Sequence, residues 1–148
     1  MTPSRTIAVA LVTFVALYAT TYASHPVDDL LRDPGYSHEL RHWAEHVAQA
    51  LLTLPIVFGL YRLWSVWPAT GWTEQNLALA RKLAPAVVPG LFLAAAGAAI
   101  GLDSVVGFVL HLVGEVIGSG SFVTLLVNSL VLLGIGVRGA LGRSTQSG

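Results

Sequence analysis

The chain has no cysteine, a single methionine at its start, and few charges: Asp, Glu, Lys and Arg together make 11% of its 148 residues. Without cysteine there is no disulfide and no thiolate metal site, so any metal must be held by imidazole, carboxylate or backbone oxygen. A soluble domain carries roughly 25% charged residues. A chain with less than half of that lacks the polar surface that keeps a protein in water. The eight basic residues are scattered and form no patch, which argues against a nucleic-acid partner. There is no Walker loop, no G-x-S-x-G and no Ser-plus-Lys dyad; no catalytic residues are assigned and enzymatic activity stays open.

Long apolar runs take the place of the missing charge. Hydrophobic residues make 54% of the sequence and the mean hydropathy is +0.69. Four stretches approach or reach the roughly 20 helical residues needed to cross a hydrocarbon core of about 30 Å. They run over about residues 7–23, 47–67, 84–102 and 122–141. In lipid every backbone amide must be satisfied within its own segment, so the expected fold is all-α: one membrane domain over 1–148, a bundle of about four transmembrane helices. Trp64 and Trp67 close the second stretch in the manner of interfacial aromatic anchors. Gly97 and Gly101 in the third, with Gly134 and Gly136 in the fourth, read as small-residue packing faces. Asn128 and Ser129 are suited to hydrogen bonds across the bundle, and Pro85 and Pro89 are expected in the first turns of the third span.

Arg5, Arg62, Arg81, Lys82, Arg138 and Arg143 fall on one side of these spans, where the only acid is Glu74. The other side holds Asp28, Asp29, Asp33, Glu39, Glu45, Asp103 and Glu115 against Arg32 and Arg41. Because Lys and Arg mark the cytoplasm, both termini are expected there, in the cell membrane, with the acidic segments 24–46 and 103–121 outside. Arg5 and the small residues of Tyr22-Ala23-Ser24 also fit a signal peptide, but the apolar region exceeds the usual secretory core, which favours an uncleaved helix. Within the second outer segment, residues 105–117 (VVGFVLHLVGEVI) are apolar but broken by Gly107, His111, Gly114 and Glu115. They read as a re-entrant or interfacial helix between spans three and four, or as an outward extension of span three.

All five histidines, His25, His38, His42, His46 and His111, fall outside the cytoplasmic half of this topology. His38, His42 and His46 repeat at i, i+4 and i+8, which on a helix keeps them within roughly 80° of one another. Glu45, Gln49 and Thr53 share that face, giving a polar stripe that descends into the second span. Polar side chains in a membrane face the bundle interior or a wet cavity. Two imidazoles at i and i+4 can reach one metal ion, and His111 with Glu115 is a second pair of that spacing. The candidate metal set is therefore His38, His42, Glu45, His46, His111 and Glu115, binding copper or zinc. The plainer alternative is a solvated helix start, with Glu45 paired to Arg41 or His42. A haem held between His46 and His111 is the alternative cofactor. A third reading is a non-catalytic accessory or assembly subunit of a respiratory-type complex. Expected partners are membrane lipid and other membrane subunits or further copies of the chain. Over about fifteen residues, the run His42-x3-His46-x4-Leu51-Leu52-x-Leu54-Pro55 resembles the histidine-bearing helix of membrane copper-handling factors for cytochrome oxidase assembly, a family with more spans than this chain.

Overall fold

The computed structural model describes residues 2–30 and 35–144, without the side chains of residues 24, 25, 28, 143 and 144. The readings made for His25, Asp28, Arg32, Asp33 and Arg143 lie outside what is described. Four helices make up the described chain: α1 (Pro3–Leu30), α2 (His38–Val66), α3 (Gly71–Ile100) and α4 (Val105–Ser144). Each contains a stretch long and apolar enough to cross a bilayer. The four expected spans fall one to a helix. Every helix starts before its span and α1 and α4 also run past its end, whereas α2 and α3 stop at Val66 and Ile100, just short of the expected ends at 67 and 102.

Local chemistry sets the starts and turns. Ser37 caps α2, its Oγ accepting the Leu40 N–H at 3.2 Å, while Glu39 sits favourably at the positive end of the helix dipole. Between α3 and α4 the chain reverses at Gly101, whose φ of +108° is open to glycine. Ser104 then holds the corner: its Oγ donates to the Gly101 carbonyl at 2.9 Å and accepts the Gly107 N–H at 3.0 Å.

The helices form a ring of antiparallel neighbours, α1 against α2, α2 against α3, α3 against α4 and α4 against α1. The start of α1 meets the end of α4, where Ile7 and Pro3 lie against Gly136. Both ends of the described chain are therefore at one end of the bundle. The starts of α2 and α4 and the end of α3 are at the other. Inward positions recur at helical spacing: Ala50, Thr53, Val57, Leu60 and Trp64 on α2, and Leu125, Asn128, Ser129 and Leu132 on α4, are all buried. On α1 the buried Thr6, Thr13 and Thr20 stand seven residues apart. Large apolar side chains such as Val15, Phe58, Val116 and Val127 point outward, the inverse of a water-soluble surface.

Three expectations change. Residues 105–117 are neither re-entrant nor an extension of α3; they open α4, a single helix of 40 residues, about 60 Å long at 1.5 Å per residue. The glycines that looked like breaks are contact points. A Cβ on Gly107 would come within 2.8 Å of the Gly97 carbonyl, one on Gly114 within 2.7 Å of the Gly90 carbonyl, and one on Gly118 within 2.6 Å of the Leu91 amide. Trp64 is fully buried, with its indole N–H donating to Thr13 Oγ1 of α1 at 3.1 Å, so it is a core residue rather than an interfacial anchor; Trp72, at 75% exposure, has the outward position instead. Pro85 and Pro89 stand in mid-helix, because α3 begins at Gly71.

Other readings hold in part: those for Gly97, Gly136 and Asn128 do, while Gly134, with nothing within 4 Å of an added Cβ, and Ser129 do not make the expected contacts. Gly97 packs against α4 and Gly136 against α1. Asn128 Nδ2 donates across to the Asn76 carbonyl of α3 at 3.0 Å, while Ser129 bonds within its own helix to the Leu126 carbonyl. Arg81 ties the opposite end together, pairing with Glu74 and donating to the Trp64 carbonyl at 2.9 Å.

Candidate metal centre

Three imidazoles converge where α2 and α4 begin. His42 and His46, one turn apart on α2, meet His111 from the second turn of α4. One candidate ligand atom from each lies within 4.8 Å of the others. Ring centroids are 6.0 Å apart for His42–His46, 5.6 Å for His42–His111 and 5.2 Å for His46–His111. His46 is 6% exposed, while His42 and His111 are half-buried.

The position of His111 follows from the glycine contact. Gly97 of α3 is packed against the backbone of His111 so closely that an added Cβ would lie 2.7 Å from the His111 Cα. This approach lets His111 Nδ1 reach the Ala94 carbonyl at 3.1 Å. A carbonyl only accepts, so Nδ1 carries the proton and the neutral ring keeps its lone pair on Nε2. A ring nitrogen tied to a backbone carbonyl is the usual support for an imidazole metal ligand.

Glu115, one turn beyond His111, places Oε1 3.0 Å from His46 Nε2. The approach lacks hydrogen-bond geometry. Both ring nitrogens of His46 and Nδ1 of His42 are buried without a hydrogen bond among the described residues. Leaving a buried polar group without a partner costs about 1–3 kcal/mol. Three such atoms lie in this one cluster.

Of the six candidate ligands, the fold therefore brings His42, His46 and His111 together with Glu115 at their side. His38 stands outside this set. It is exposed, with its ring edge-on to His42 at 4.4 Å. Glu45 is half-buried on α2 and is not one of the clustered side chains. Sequence reasoning missed the Ala94 carbonyl, since a backbone acceptor on a different helix leaves no trace in residue identity. It also missed that Gly97 sets the height of His111, although its small-residue spacing was visible.

The donor set fits a transition-metal ion: three imidazoles and a carboxylate, one imidazole already oriented. Zinc binds nitrogen at about 2.0–2.1 Å, so these side chains would have to draw closer together to hold one. Comparison of the chain with protein families, curated proteins and solved structures found no match. The class defined by fold and site is a four-helix bundle with membrane-crossing dimensions and a histidine cluster near one end.

Proposed function

We propose that the protein is a small multi-pass protein of the cell membrane that binds a transition-metal ion, copper or zinc, through His42, His46 and His111. Glu115 would complete or support the set. The site would face the extracytoplasmic side, with both termini in the cytoplasm, and serve metal handling or a membrane metalloenzyme complex. The observation that carries this reading is the convergence of three imidazoles, one fixed by a backbone carbonyl, with buried nitrogens left unbonded. The sidedness is supported by the charges: Arg5, Arg62, Arg81 and Lys82 gather at the end opposite the histidines, as expected of a cytoplasmic face. The only methionine is Met1 and there is no cysteine, so the donor chemistry favours divalent zinc or copper over the softer cuprous ion.

The haem reading draws less support. A macrocycle between His46 and His111 needs clear space around both rings, and the His42 ring is 5.6 Å from one and 6.0 Å from the other. An accessory role in a larger complex is compatible with the metal reading.

The test is elemental analysis with an absorption spectrum of detergent-purified protein. The expected result is near-stoichiometric metal without a Soret band, and loss of that metal in the variant carrying both His42→Ala and His46→Ala. Full metal content in that double variant would overturn the proposal. A Soret band in the wild type would replace it with the haem reading.

A further inference from the structure

One imidazole of the stripe is left over. His38, the first residue of α2, is exposed and sits edge-on to His42 with ring centroids 4.4 Å apart. This is the shortest separation among the four neighbouring imidazoles, shorter than any distance within the cluster itself. His42 is thus shared between an outer pair, His38/His42, and the inner set, His42/His46/His111. Exposure falls stepwise along the helix, from exposed His38 through half-buried His42 to His46 at 6%.

An ion buried by His46 cannot shed all its ligands at once without facing an apolar interior unsolvated. It leaves most easily if each metal–nitrogen bond that breaks is replaced by one that forms. We propose that His38 and His42 are the relay through which a divalent ion enters and leaves the inner site by exchange of imidazole ligands. The inference rests on the metal reading above. In the outward step His42 stays bound while bonds to His38 and to water form and the bonds to His46 and His111 break; the ion keeps its charge and no redox partner is needed. The half-buried Glu39 and Glu45 flank the relay on α2 and favour cations at this mouth. Arg41, on the same turn, directs Nη2 to the Tyr36 carbonyl at 3.3 Å.

A relay differs from an ordinary ligand in its kinetics. A group used only in passage lowers the barrier in both directions and leaves the equilibrium unchanged. The experiment compares wild-type protein with His38→Ala and His46→Ala in detergent or nanodiscs. Zn2+ affinity is measured by equilibrium competition with a chromophoric chelator, and loading and release are followed by stopped flow. The exposed position of His38 makes the alanine variant safe for folding, which matching elution profiles verify. The expected result for His38→Ala is an affinity within about twofold of wild type, with loading and release both slowed about tenfold. Loss of affinity with unchanged loading makes His38 a plain ligand and overturns the relay. Unchanged rates overturn it equally, while the metal reading stands if His46→Ala loses affinity. If the wild type takes up no Zn2+, the metal reading fails and the relay with it.

Discussion

Two carboxylates compete for a place beside the imidazoles, and single side chains decide between them. Glu45 is adjacent in sequence to His46, but neighbouring residues on a helix point about 100° apart. Glu115 comes from α4 and still reaches 3.0 Å from His46 Nε2, because His111 and Glu115 share one face a turn apart. In the proposed site it would contribute a charge either as a direct ligand or by orienting His46, and removing either role would weaken binding. Glu115→Gln keeps the size and most of the packing, so affinity for Zn2+ is expected to fall about 10–100-fold. Glu45→Gln should leave it within about twofold. Equilibrium competition on the two variants measures this directly. Equal affinities for both would remove Glu115 from the site, and the reverse order would restore the carboxylate that sequence proximity suggested.

At the scale of elements, the decisive contact is between α3 and α4. Gly90, Gly97, Gly107, Gly114 and Gly118 let two backbones touch where any side chain would intervene. Inserting methyl groups into such a contact costs about 1–3 kcal/mol when neighbours cannot give way, and the atoms facing Gly97 are backbone. Gly97→Ala should therefore lower thermal stability and, by lifting His111 from Ala94, reduce metal content. Gly134→Ala is the matched control, since nothing lies within 4 Å of its added Cβ. If Gly97→Ala keeps both melting temperature and metal, the helix contact does not position the site. The same contact explains what could be read from the sequence and what could not. Apolar length and helical spacing were enough for the four spans and for the His42–His46 face, because both depend on residues close in sequence. The continuity of α4 was hidden: glycine, histidine and glutamate in an apolar run look like interruptions until a second helix is seen to occupy their face. Trp64 was misread for a related reason, as its hydrogen-bond partner, Thr13, lies on another helix.

For the whole molecule, the open question with the largest consequence is which way the bundle faces. The helices set the histidine cluster at one end and Arg81, Glu74, the start of α1 and the end of α4 at the other, so a single determination of sidedness places everything else. Charge predicts the answer: the end bearing Arg62, Arg81 and Lys82 is expected in the cytoplasm and the histidine cluster outside, where the proposed site would capture or deliver an ion. The absence of cysteine makes this directly measurable, because an introduced thiol is the only one present. Tyr36 is exposed beside the start of α2, and Ser65 is exposed near the end of the same helix. In intact cells, a membrane-impermeant thiol reagent should label Tyr36→Cys and leave Ser65→Cys unlabelled until the membrane is opened. The opposite pattern would turn the molecule over and place the histidines in the cytoplasm, making the site one that receives or buffers metal from within. Labelling of both in intact cells would mean that the two ends of α2 are not separated by a bilayer, and the membrane-spanning arrangement itself would fall.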